Sequence, residues 1–228
     1  MEVLIRIDDN VEYTLSELGW HCDFTDFEAP QTRTNYKTIP GRNGVLDLTE
    51  VDGQVYYEPV QFTLLAQRIC RKGSDCATYL HQLMNLFNGK ACQVFLFRRG
   101  QEFLYDPNPN DNMYYDGRIQ IGQATREQLV FNVELIVTAF PYRYEDGLFT
   151  ESFTVSGTQT KTLHNLQMPV VPAITCSASM TIVFNDTTWN INAGQNILLP
   201  DLVLGAGDSE ISISGTGTIS FTYQRGAM

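Results

Sequence analysis

The chain has 228 residues, 43% of them hydrophobic, and a net charge of −11 from 26 acidic and 15 basic side chains. That length can bury a core as one large β domain or as two small ones. The charge argues against a freely diffusing nucleic-acid-binding module, which needs a concentrated positive patch to displace counterions, but not against a wall that DNA slides past.

The opening "MEVLIRIDDNVEY" alternates like a strand and carries acid where a signal peptide would carry base. His21 and Cys22 follow in a second predicted strand, where neighbouring side chains point to opposite faces. Next comes "TIPGRNGVLDLTE", residues 38 to 50, which has the look of a phosphate cradle. A P-loop needs glycines followed by Lys and Ser or Thr at the head of a helix. Here Gly41 and Gly44 lead instead into the strand-like Val45–Leu48. Pro40 fixes φ and the glycines are free to take φ > 0, so the stretch reads as a chain-reversing turn, not a ligand site.

In "PVQFTLLAQR" Val60, Phe62, Leu64 and Ala66 fall on one face. A single helix is predicted over 74–88, with Cys76, Tyr79, Leu80, Leu83, Met84 and Phe87 as its apolar stripe. Ser74 or Asp75 can cap its start, and Gly89 can supply the left-handed residue that ends it. "CQVFLFRR" has the density of a buried strand, and "DPNPND", residues 106 to 111, is a turn. Asp106, Asn108, Asn110 and Asp111 lack the central glycine and twelfth-position glutamate of a calcium loop. The cleanest strand is "QLVFNVELIVTAF", with Leu129, Phe131, Val133, Leu135, Val137 and Ala139 at period two.

Beyond Phe140–Tyr144 the only basic residues are Lys161 and Arg225, and short β-branched runs alternate with Ser, Thr, Asn and Gly. This predicts two domains, 1–140 and 141–228. The first is a β-sandwich-like domain with one packed helix; the second is a small β-sandwich or jelly roll, so the fold class is mainly β.

No run reaches the roughly 18 apolar residues of a membrane span. Five cysteines (Cys22, Cys70, Cys76, Cys92 and Cys176) form no CxxC pair and predict reduced thiols. Neither Cys22 with His21 nor Cys76 with His81 can form a nucleophile–base pair, and His164 has no spaced metal partner. The expectation is therefore no enzyme, no metal and no cofactor.

The order of these features resembles the distal tail proteins of long-tailed bacteriophages and prophages, often called Dit. The carriers are Pro40, Gly41, Gly44, Asp47 and Leu48 in the loop, Pro141 and Tyr142 at the junction, and Tyr223, Arg225 and Gly226 at the end. The resemblance covers nearly the whole chain. It implies a six-membered ring of N-terminal domains at the lower end of the tail tube, with a galectin-like sandwich facing outward. It further implies a structural hub in the virion tail tip, assembled in the host cytoplasm. Its partners would be the major tail tube protein above, a tail-tip or fibre protein below, and DNA passing through the lumen without specific binding. The C-terminal domain is too short for an inserted carbohydrate-binding module.

Rings close through heterologous contacts, and strand edges are natural joining surfaces. Pro40, Gly41, Arg42, Asn43 and Gly44, together with the 128–140 strand, are accordingly expected near subunit contacts. An exposed arginine on a hairpin tip is the competing reading of Arg42. Two other functions stay open at this level. One is a carbohydrate-binding module in which Trp189 of "TTWNIN" stacks on a sugar, although a core position also suits that residue. The other is the equivalent hub of a phage-derived bacteriocin particle.

Overall fold

The structure, a computed structural model, describes residues 2–8, 11–27, 29–38, 44–49, 55–97 and 113–228. It is mainly β with one helix, and the chain divides into two compact units, Met1–Pro141 and Tyr142–Met228. Each unit has its own apolar cluster.

Unit 1 is built on one antiparallel sheet. Its strands are β1 (Glu2–Asp8), β2 (Val11–Thr14), β3 (His21–Phe27), β6 (Val60–Ile69), β7 (Ala91–Phe97), β8 (Met113–Glu127) and β9 (Val130–Glu145). They run in the order β2-β1-β7-β8-β9-β6-β3. The period-two residues behave as predicted: Val60, Phe62, Leu64 and Ala66 of β6 are buried, and so are Phe131, Val133, Leu135, Val137 and Ala139 of β9. Leu129 departs from the pattern. It sits in the tight turn between β8 and β9 beside Gln128 (φ 55°), and is 54% exposed. Strand β9 also runs on through the predicted boundary to Glu145. Pairing with β6 stops at Ala139, so Pro141 costs that ladder no hydrogen bond.

The helix α1 (Gly73–Phe87) lies against this sheet through Cys76, Leu83 and Phe87, with Tyr79 and Leu80 half-buried. Its N-cap is Lys72, with no side-chain cap; Ser74 Oγ instead bonds Asp75 Oδ1 at 3.3 Å. Met84 points outward and is 41% exposed, because the buried stripe follows 76, 83 and 87. At the other end Gly89 takes φ +74° and its N–H donates to the Ile119 carbonyl, tying the helix to β8. At the start, Arg68 donates to the Leu18 carbonyl at 2.6 Å and lies 3.7 Å above the Tyr79 ring.

The expected set of five thiols is corrected here. Cys70 and Cys76 form a disulfide, while Cys22, Cys92 and Cys176 are free and buried. The spacing hid the pair: it is the turn from β6 into the first turn of α1 that brings the two Cα atoms within 6.0 Å. The closed loop is short, so the chain-entropy gain is about 2 kcal/mol. Reduction, or the double change Cys70→Ser with Cys76→Ser, should lower unfolding stability by that amount; equal urea midpoints with and without reductant would contradict it.

Unit 2 contains β10 (Phe149–His164), β11 (Ala173–Cys176), β12 (Met180–Phe184), β13 (Thr187–Ile191), β14 (Asn196–Leu198), β15 (Asp208–Tyr223) and β16 (Gly226–Ala227). Asn185 and Asp186, both at positive φ, make the two-residue turn between β12 and β13. The backbone of the unit is the β10–β15 ribbon, paired without interruption from Phe149↔Tyr223 to His164↔Asp208. β12 joins β15 at Ser212–Ser214, and β11 joins it at Ile219–Thr222. The two halves of the ribbon thereby enter opposite layers of a β-sandwich around Val155, Leu163, Ile211, Ile213, Ile219 and Phe221. β16 returns to pair with Arg143 and Tyr144 at the start of the unit.

Candidate functional site

Pro40, Gly41, Arg42 and Asn43 lie outside the described residues, as do Asp106, Asn108, Asn110 and Asp111. Gly44 is described: it is exposed, at φ +92°, with open space where a Cβ would stand. It precedes β5 (Val45–Asp47), which pairs with β4 (Tyr36–Thr38) in a separate two-stranded sheet. The isolated bridge Thr32↔Tyr57, with Glu58 N–H donating to the Gln31 carbonyl, extends this pairing back toward β3 and β6. The described residues 29–38, 44–49 and 55–58 therefore belong to an arm that continues the terminal β3–β6 pair of the sheet.

Leaving Val45 aside, no described residue of the arm is buried, and Tyr36, Leu46 and Tyr56 are exposed large side chains on it. Local polar contacts shape it. Asp47 Oδ1 accepts from the Thr49 N–H at 2.9 Å, and these Thr49 hydrogen bonds hold the Asp47 carboxyl below its usual range. Arg33 faces Glu58 at 3.3 Å. A two-stranded ribbon without a core has marginal stability in water. The 128–140 segment offers less than expected. β9 is flanked by β8 and β6 as far as Ala139; its exposed large side chains lie at the two ends of the segment, Leu129 and Val130 beside Ile69 at one and Phe140 at the other. The end strands of the sheet are β2 and β3.

The histidines and thiols are dispersed. His21 is exposed, its Nε2 3.4 Å from Asp23 Oδ1, while Cys22 beside it is buried. Burial pushes the Cys22 thiol up to about 12 and the Cys92 thiol to about 11, leaving both protonated and poorly nucleophilic. His81 is exposed on α1, and Cys76 is spent in the disulfide. Among the described residues no group of three or more His, Cys, Asp or Glu side chains could hold a metal ion.

His164 does have a partner that sequence reading missed. Its Nδ1 is 2.6 Å from Glu151 Oε1, and the Tyr223 hydroxyl donates to Glu151 Oε2 at 2.7 Å. Thirteen residues separate Glu151 from His164, so only the fold-back of β10 could reveal the pair. Trp189 is half-buried against the unit 2 core, opposite Ile182.

Together these features define a two-unit, mainly β protein with an exposed arm. No family model matches the chain, and no curated protein matches it. Among solved structures it is similar to the Dit protein (gp 19.1) of phage SPP1, described as a paradigm of the hub adsorption apparatus in phages infecting Gram-positive bacteria. The TM-score is 0.62 at 14% identity, covering 97% of this chain and 98% of that one. The chain thus has a Dit-like fold over its full length. No helix among the described residues is long and apolar enough to cross a membrane.

Proposed function

We propose that the chain is a structural hub protein of a phage tail, acting by shape and edge complementarity rather than by chemistry. Six copies form a ring through unit 1, below the tail tube and above a tail-tip or fibre protein, and unit 2 is a galectin-like sandwich facing outward. DNA passes through the lumen, and a net charge of −11 suits a wall that must not retain phosphate. The observation that carries this reading is the full-length likeness to a hub protein, with both units included. The exposed arm and the strand ends of unit 1 supply surfaces for heterologous contacts between repeated copies.

Electron microscopy of the concentrated protein tests the reading: six-fold rings with an open centre are expected, and single chains at every concentration would count against it. Within that assembly the stretch Pro40–Gly44 is taken to lie at the subunit contact. Arg42→Glu should shift light-scattering mass toward the monomer at concentrations where the unaltered protein is a ring. An unchanged mass would remove the turn from the interface.

A further inference from the structure

A straight strand of 13 residues spans about 43 Å at ~3.3 Å per residue. Yet Glu151 and His164, 13 residues apart on β10, are in hydrogen-bond contact. The ribbon is therefore folded back on itself, and the glycines show where. Gly157 (φ +77°) pairs with Gly215 (φ +150°), and Gly217 (φ +145°) lies opposite Val155. A Cβ on Gly215 would stand 2.8 Å from Met180 Cγ, and one on Gly217 would stand 2.7 Å from Ser177 Oγ. The bend needs residues without side chains at these points.

The open end of the bend is closed by a small polar group. Glu151 accepts from His164 Nδ1 at 2.6 Å, from the His164 N–H at 3.0 Å and from the Tyr223 hydroxyl at 2.7 Å. Tyr223, 2% exposed, also lies 2.9 Å from the His164 carbonyl. Each contact between Glu151 or Tyr223 and His164 joins one end of the ribbon to the other. We propose that Glu151, His164 and Tyr223 form a protonation-sensitive latch that holds the folded ribbon of unit 2 shut across its two ends.

The geometry assigns the working atoms. The carboxylate fixes the Nδ1 proton, and Nε2 gains and loses the second proton on the exposed side of the ring, 56% of the side chain being open to solvent. Four charged or titratable groups face the imidazole. Glu151 on β10 and Asp208 across on β15 favour the imidazolium, Arg225 opposes it, and Tyr223 shares the carboxylate. Arg225 is itself committed to a two-pronged contact with Glu145, both bonds at 2.7 Å, and its guanidinium lies 3.6 Å above the Phe149 ring.

The two titrations set the window. The Glu151 hydrogen bond, with a smaller direct coulombic contribution, raises the His164 pKa above its ordinary 6.5. Its share of the stability is complete below pH 6.5 and is lost as pH rises through the raised value. For Glu151, burial pushes the pKa up, but the bonds from His164 and Tyr223 outweigh it and leave it below the ordinary 4.5. Its share is complete above pH 4.5 and is lost as pH falls through the lowered value. The latch is therefore tightest between about pH 4.5 and 6.5, and it slackens toward alkaline pH as the imidazolium becomes a neutral donor.

The test uses the full chain. Histidine-selective NMR titration, with the His164 signal identified by its loss in His164→Gln, should give a midpoint above 6.5 that moves down in Glu151→Gln. The melting-temperature gap between the unaltered protein and His164→Gln should be about twofold larger at pH 5.5 than at pH 8.5. A midpoint at or below 6.5, or an equal gap at the two pH values, overturns the proposal. Should Glu151→Gln fail to fold, Tyr223→Phe removes one bond to the same carboxylate and should also shift the midpoint; an unmoved midpoint there counts against the latch.

Discussion

Gly117→Ala should destabilise unit 1 by about 3 kcal/mol, the upper range for forcing atoms into a packed interior. Gly117 sits in β8, paired with Cys92 of β7. A Cβ there would run into the Thr138 carbonyl and would stand 2.6 Å from the Ala139 Cα. These are backbone atoms of the next strand, with no rotamer to escape into, so β8 and β9 must move apart. The disturbance then spreads, because Val137 and Ala139 on β9 pair with Phe62 and Val60 on β6. Gly122, further along β8, is the control. Its Cβ would meet the Ile136 Cδ1 at 3.0 Å and the Glu134 side chain at 3.1 Å, and these groups can turn aside. Gly122→Ala should therefore cost under about 1 kcal/mol. Urea denaturation of the two variants measures the difference, and similar midpoints would show that the close approach at Gly117 carries no weight.

The same two strands show where sequence reading reaches and where it stops. β9 was legible because five consecutive odd positions are apolar, the pattern of a strand with one face in the core. β8 was not, although it is nearly as long. Its two glycines, Arg118, Gln120 and Gln123 break the alternation, and it is held by its neighbours rather than by its own apolar face. β10 was hidden in the same way. Its inward positions include Glu151 and Gln159, and its outward ones are almost all Ser or Thr, which favour turns as readily as exposed strands. Contacts joining distant positions in one element, such as Glu151 with His164, or a disulfide across an unfamiliar spacing, such as Cys70 with Cys76, arise only after the chain has bent. Gly44 leads into a strand and not into a helix, the feature that set the glycine-rich stretch apart from a phosphate cradle in the sequence. That the flanking strands form an arm with no buried residue among those described, Val45 aside, is a tertiary fact.

Phe62→Ala should remove about 3–5 kcal/mol from unit 1, the range for a large aromatic taken from a closed core. Phe62 is 1% exposed, stacked on Phe24 at 5.6 Å and set against Tyr115 at 5.0 Å and Phe27 at 6.3 Å. Phe24 and Phe27 are the apolar anchors of β3, a strand with a neighbour on one side only and a bulge between Phe24 and Asp26. Deleting the ring should thus loosen β3 before the rest of the sheet. Hydrogen exchange should show protection at the β3 amides reduced about a hundredfold or more, and amides of β1 and β7 less affected. Equal loss across the sheet would mean that β3 has no separate opening. The consequence for assembly comes from the chain path: the arm begins where β3 ends, so its direction is set by the Phe24–Phe27–Phe62 cluster. On the proposed hub reading, Phe62→Ala should lose rings at denaturant concentrations where β9 is still protected, whereas Phe62→Leu, which refills most of the volume, should keep them.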